Sequence, residues 1–150
     1  MADTIFKLIP TKSEYVAEMG NLEKAKDLFA SFVPQADEIT LNVYDKTKFF
    51  DPGTNLEKVS CPKCNKDITD WWSGEGMGIA KGDSFDSLEI VTPCCQSRVS
   101  LNDLIYDWPA GFARFSLEAR NPKIKDLTGS QIKELQDTLN IPLKKIWSHI

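Results

Sequence analysis

Four cysteines in two pairs constrain this chain more than any other feature: Cys61-Pro62-Lys63-Cys64, then Cys94-Cys95, thirty residues after Cys64. The chain has no others. Paired thiols flanking a loop-rich stretch are the pattern of a four-thiolate zinc site, which staples an otherwise weakly ordered segment. The expected ligands are Cys61, Cys64, Cys94 and Cys95. The expected cofactor is Zn2+, with iron as the other metal such a donor set accepts.

The two halves of the pattern differ. Pro62 pre-sets a turn, and Asn65 tolerates the left-handed backbone often needed just past the second thiolate. Successive residues of an extended chain face opposite ways, so Cys94 and Cys95 share one metal only where the backbone bends, which Pro93 allows. Three cysteines completed by His149, the only histidine, form the alternative ligand set. A Cys-Pro-Lys-Cys dithiol also matches glutaredoxin-like oxidoreductases, whose reactive thiolate opens a helix. Here Asn65-Lys66-Asp67-Ile68-Thr69-Asp70 follows, without an apolar stripe, and the motif sits mid-chain rather than early in a βαβ unit. Catalytic zinc needs an open position, a nearby acid or base and, typically, histidine ligands, which a single histidine does not supply.

At 150 residues, 41% hydrophobic and 27% charged, the chain reads as one globular domain spanning residues 1–150. No apolar run approaches the roughly 20 residues that span a bilayer, so no membrane association is expected. No basic leader followed by an apolar stretch is visible, and clustered free thiols fit a cytoplasmic location. The net charge of −4 is uneven: residues 61–110 carry −4 and residues 111–150 carry +3. Four thiolates on one zinc add roughly −2 more to the middle segment. Such a segment is repelled by phosphate and attracted to basic protein surfaces, or simply keeps the chain soluble.

Thr4 to Ile9 reads as a short strand closed by Pro10. Leu22, Ala25, Leu28, Phe29 and Phe32 share one helical face, with Asn21 as N-cap and Pro34 as terminator. Ile39, Leu41 and Val43 alternate as a half-buried strand, and Asp51-Pro52-Gly53 is a turn. Beyond the cysteines, Phe115, Leu117 and Ala119 alternate with Arg114, Ser116, Glu118 and Arg120 until Asn121-Pro122. A second helix follows, with Ser130 and Glu134 near a capping-box spacing, Ile132, Leu135 and Leu139 on its apolar face, and Asn140 and Pro142 as its stop. Leu143 to Ile150 supplies a last strand. The fold class is therefore α+β: a ferredoxin-like β-α-β/β-α-β succession with a zinc-ribbon-like segment, residues 49–110, inserted into it. No internal repeat is visible.

Gly74-Glu75-Gly76-Met77-Gly78, with Gly82, lacks the Gly-Lys-Ser/Thr ending of a phosphate-binding loop and reads as a connector. Its acidic residues Glu75, Asp83 and Asp86, with Trp72 as an exposed anchor, form the candidate partner-binding set. The opposing expectation is that Trp71 and Trp72 both pack over the zinc knuckle, as Trp108 and Trp147 are expected to be core. Arg114, Arg120, Lys123 and Lys125 suggest a nucleic-acid face. Sheet modules that bind RNA stack bases on exposed aromatics, however, and the aromatics here lie on the apolar register.

The run Cys61-Pro62-Lys63-Cys64, Pro93-Cys94-Cys95, Ser100 to Leu104, Trp108 to Phe115 and Leu143 to Ile150 resembles a group of small bacterial zinc-ribbon-like proteins without a defined activity. In size and acidity the chain is similar in type to immunity proteins. That resemblance implies a non-enzymatic protein that binds and neutralises a basic toxin, and it assigns no residue. A nucleic-acid-binding zinc ribbon and a thiol oxidoreductase are the competing expectations.

Overall fold

The period-two run after the cysteines becomes a central strand of a four-stranded antiparallel sheet. In the computed structural model, which describes residues 3–50, 56–77 and 88–149, this sheet combines β1 (Thr4–Pro10), β2 (Glu38–Phe50), β7 (Gly111–Arg120) and β8 (Leu143–His149). The strand order is β2-β7-β1-β8. Phe115, Leu117 and Ala119 are fully buried. On the other register Arg114 and Glu118 are half-buried and Arg120 is exposed, but Ser116 is buried as well, so this strand is more covered than its period-two pattern predicts. Their cross-strand partners are also apolar: Leu117 stands opposite Leu8 on one side and Leu41 on the other, and Ala119 opposite Phe6 and Ile39. The register thus gathers one continuous apolar face.

Two helices cover that face. Helix α1 (Met19–Phe32) buries Leu22, Ala25 and Phe29, and α3 (Gly129–Leu139) buries Leu135 and Leu139 in the same core. The expected cap of α1 is three residues off: the helix starts after Glu18, placing Asn21 within its first turn. The second helix is likewise capped two residues earlier than Ser130. Thr128 accepts from the Gln131 amide at 3.2 Å, while the Gln131 side chain accepts from the Thr128 amide at 2.9 Å. Asn140, with φ 57°, closes the helix in the left-handed region that asparagine tolerates. Trp147 stacks on Phe6 with ring centroids 4.2 Å apart.

Between β2 and β7 lies a second layer of structure. Strand β3 (Val59–Ser60) pairs with β6 (Ile105–Tyr106), and β4 (Glu89–Val91) with β5 (Arg98–Ser100). A single turn of helix, α2 (Thr69–Trp71), runs on into a π-helical turn, Trp72–Gly76. These pieces enclose their own apolar cluster, including Val59, Cys61, Ile68, Trp72, Ile90 and Leu101. The clusters are separate, yet the strands are shared: Phe49 of β2 and Phe112 of β7 project into the second cluster.

Several expectations change here. Trp108 is 42% exposed, so it is a surface residue and not core. The Gly74–Gly76 stretch is helical rather than an irregular connector, and a Cβ on Gly76 would meet the Trp71 ring at 2.9 Å. Glycine there lets the indole lie against the backbone. The turn expected at Asp51-Pro52-Gly53 falls outside the described residues, as do Gly78 and Gly82.

Candidate metal centre

Two reversals of the backbone deliver the four sulfurs. In the first, Asn65 N–H donates to Cys61 O at 2.8 Å and Cys61 N–H to Lys66 O at 2.9 Å. Asn65 takes φ 62°, the left-handed turn past the second thiol that its side chain type permits. In the second, Gln96 N–H donates to Thr92 O at 2.9 Å, Thr92 N–H donates to Ser97 O at 2.9 Å, and Gln96 takes φ 55°. The backbone therefore does bend at Cys94-Cys95, and both sulfurs turn towards the first pair.

The four Sγ atoms lie within 4.8 Å of one another. Cys64 and Cys94 are 3.3 Å apart, Cys61 and Cys95 3.7 Å, and Cys94 and Cys95 4.0 Å. Zinc–sulfur bonds of about 2.3 Å in a tetrahedron place sulfurs about 3.8 Å apart, a separation these values bracket. A disulfide would need about 2.05 Å, and all four cysteines are free. The donor set therefore fits a thiophilic cation. Four sulfurs complete a tetrahedron without His149, whose backbone pairs on β8 opposite Thr4.

The electrostatics are those of crowded thiols. Burial pushes the Cys61 thiol up, but the backbone amides of Cys64 and Lys63 outweigh it and hold the thiol below its ordinary value. Hydrogen bonds from Ser97 and then Thr92 bring Cys95 down to about 6. Cys64 moves the other way, up to about 12: the Lys66 amide favours its thiolate, yet the Cys94, Cys95 and Cys61 sulfurs and desolvation oppose it. A divalent cation removes that mutual repulsion, which is how metal affinity and thiol ionisation become linked.

Among the described residues, the cysteine group is the one cluster of three or more metal-ligating side chains. An open cleft of about 460 Å³ borders it, lined by Lys66, Asp67, Asp70, Trp71 and Cys94 among others. The expected partner-binding set does not assemble as a whole. Glu75 is exposed on the π-helical turn, but Trp72 is buried against Phe49 and Tyr106, with centroids at 5.7 and 5.8 Å, as the packed alternative for this residue expects. Asp83 and Asp86 lie outside the described residues.

Three of the four basic residues of β7 and the turn beyond it are engaged locally, and Lys125 is exposed. Arg114 Nε donates to Tyr44 O at 3.3 Å, Arg120 pairs with Asp3, and Lys123 pairs with Asp37 at 3.2 Å. Sequence reasoning missed Thr92 and Ser97, whose hydroxyls stand 3.5 and 3.2 Å from Cys95 Sγ. The signal that would have found them is the shared spacing of Pro62 and Cys64 with Pro93 and Cys95.

No helix among the described residues is long and apolar enough to cross a membrane. No protein-family model, curated protein or solved structure matches the chain.

Proposed function

We propose that the chain is a non-enzymatic protein-binding protein whose middle segment is stapled by structural zinc, and that it acts as an immunity protein neutralising a basic bacterial toxin. The observation that supports the non-enzymatic reading is the gathering of all four cysteine sulfurs within 4.8 Å of one another. Four thiolates on one zinc would complete its tetrahedron without substrate or water, as structural sites do. Zinc, when bound, would be held by Cys61, Cys64, Cys94 and Cys95 and would supply cross-linking rather than Lewis-acid chemistry. The fold we read as ferredoxin-like with a zinc-ribbon-like insertion. The order β2-β7-β1-β8, with a helix after the first and third of its strands in the sequence, supports that reading.

Acidic side chains on the insertion support the choice of a basic partner in the cytoplasm. Glu57, Asp67 and Asp70 line the cleft beside Cys94 together with a single base, Lys66, and Glu75 is exposed on the π-helical turn. A net negative surface speeds encounter with a partner of opposite charge. Co-expression with the protein encoded beside it, followed by affinity purification and a growth assay, tests the proposal. The expected result is a stoichiometric complex and relief of the partner's toxicity. Retention of no partner and no relief would overturn it.

One observation favours a second reading. Cys95 is exposed, with the Ser97 and Thr92 hydroxyls 3.2 and 3.5 Å from its sulfur, a setting that favours the thiolate and suits a reactive thiol as well as a ligand. Stoichiometric zinc together with thiols inert to alkylation removes that reading; rapid alkylation of zinc-free protein at neutral pH supports it.

A further inference from the structure

The two backbone reversals that carry the sulfurs can be laid over each other residue by residue. Each follows a short strand, β3 before Cys61 and β4 before Thr92. In each, the first residue's N–H donates to the sixth residue's carbonyl at 2.9 Å. In each, the fifth residue's N–H returns to the first residue's carbonyl, at 2.8 Å from Asn65 and 2.9 Å from Gln96. The fifth residues share a left-handed backbone, φ 62° and 55°. Proline is second in both, Pro62 and Pro93, and cysteine fourth in both, Cys64 and Cys95. A repeat is therefore present where the sequence showed none: Cys61–Lys66 and Thr92–Ser97 are one six-residue unit used twice.

In that alignment Thr92 is the counterpart of Cys61, and Cys94 is the counterpart of Lys63. We propose that the second unit is a zinc knuckle whose opening ligand has moved from position 92 to position 94, leaving Thr92 as a positioning residue for the metal-bound sulfur of Cys95. This deepens the reading of the four cysteines as a zinc site and rests on it.

The surroundings of Thr92 fit that role. Thr92 and Cys61 are both completely buried, whereas Lys63 is exposed and Cys94 only partly covered. The first place of the two units thus keeps its environment even though the residue differs, and the third becomes more covered where it carries the cysteine. Thr92 Oγ1 accepts from the Ser97 amide at 3.1 Å, and its one proton has two acceptors in reach, Ser97 O at 3.4 Å and Cys95 Sγ at 3.5 Å, of which a metal-bound thiolate is the charged one. An alcohol oxygen does not ionise as a thiol does and is a poor ligand for a thiophilic cation. It can instead donate a hydrogen bond to a thiolate, dispersing its charge and setting its orientation. The thiolate that position 92 no longer supplies comes from Cys94, whose sulfur reaches 3.3 Å from Cys64.

Cobalt(II) titration of the full chain tests this, because tetrahedral cobalt absorbs visibly and its bands report how many thiolates surround it. Wild-type protein is expected to bind one cobalt with a four-sulfur spectrum. Cys94→Ser is expected to shift the bands to a three-sulfur spectrum. Combining Thr92→Cys with Cys94→Ser is expected to restore both the four-sulfur spectrum and the one-to-one stoichiometry.

If the wild type gives the four-sulfur spectrum and the double variant stays like Cys94→Ser, the inference falls and the zinc reading stands. If the wild type gives no four-sulfur spectrum, both fall together. Thr92→Val provides an independent measurement that does not depend on the double variant folding. It keeps the side chain's shape but removes the donor, and is expected to weaken cobalt affinity about ten-fold or more while Thr92→Ser retains it. Equal affinity in all three proteins would overturn the positioning role.

Discussion

Phe49 and Phe112 face each other across β2 and β7 with ring centroids 4.9 Å apart, and both rings belong to the core of the inserted segment rather than to that of their own sheet. Two strands thus serve two cores in succession along their length. The β2 register slips between Val43 and Lys48, before Phe49 enters the second core. Folding of the insertion is tied to the sheet through this pair, because neither core is complete without strands β2 and β7.

Replacing Phe112 by alanine is therefore expected to loosen both layers. The ring is fully buried, and truncations of this size typically cost about 3–5 kcal/mol through lost burial and residual cavity. Urea denaturation should show the midpoint falling by an amount in that range. A loss below about 1 kcal/mol would mean that the pair does not couple the layers.

Gly111 precedes Phe112 where the chain passes from one layer to the other with no room for a side chain. A Cβ there would come within 2.9 Å of Ile9 Cδ1 and 3.1 Å of Asn102 Oδ1. Asn102 holds the junction, accepting from the Phe112 amide at 3.0 Å and donating to Thr11 O at 3.2 Å; Lys144 Nζ donates to Ala110 O at 2.8 Å alongside. Gly111→Ala is expected to lower stability by about 1–3 kcal/mol, since the added methyl must displace a polar clamp as well as a flexible isoleucine tip. Thermal melting of the two proteins side by side measures it.

Much of this was legible in the sequence because its causes are local. Period-two alternation in Phe115–Ala119 and helical spacing in Leu22–Phe29 report burial directly. The left-handed turn at Asn65 was legible for the same reason, being a property of one residue type. What escaped was decided between distant segments. Trp72 reads from the sequence as either an exposed anchor or a packed ring, and Phe49 and Tyr106, distant in the chain, decide for packing. The expected caps were displaced because side-chain bonding chose Thr128 and Gln131 over Ser130 and Glu134, and α1 begins after Glu18 without any side-chain cap. The similarity of Thr92–Ser97 to Cys61–Lys66 is carried mainly by hydrogen bonds and φ angles, with two residue identities to mark it.

The capping box also gives a clean local test. Thr128→Ala removes the acceptor for the Gln131 amide, leaving one of the first-turn donors of α3 to water. A stability loss of about 1 kcal/mol is expected, while Ser130→Ala should change stability by much less. Equal losses from the two variants would contradict the observed cap.

Acid should act through Asn121, which ties the N-terminal strand to the loop before β2. Its side-chain amide donates to Asp3 at 3.0 Å and to Asp37 at 2.9 Å. These bonds come first among the influences holding both carboxyls below their ordinary value, followed by Arg120 for Asp3 and Lys123 for Asp37. Both pKa values are depressed in the folded state, so the linked stability is fully present above the unfolded carboxyl range near pH 4 and disappears as pH falls through the depressed values. Asn121→Ala is expected to flatten the decline in stability below about pH 4 while leaving the neutral-pH slope unchanged. Melting curves collected across that window check the sign: a variant declining as steeply as wild type would show that the amide bonds carry no linkage.

Chelation should separate the two layers that Phe49 and Phe112 join. The first core draws on β1, β7, α1 and α3 and contains none of the cysteines, whereas Cys61 is wholly buried in the second. Withdrawing the metal restores repulsion among four sulfurs within 4.8 Å, and protonation relieves it only by giving up the thiolates that the site needs. Excess chelator, or acid sufficient to protonate the thiols, is therefore expected to unfold the insertion first. The near-ultraviolet signal of Trp71 and Trp72 should fall while the far-ultraviolet signal of the two long helices and the four-stranded sheet largely persists. Zinc added back at neutral pH should restore the aromatic signal with one equivalent. Simultaneous loss of both signals would show that the sheet cannot stand without the insertion, and loss of neither would show that the sulfurs hold no structural metal.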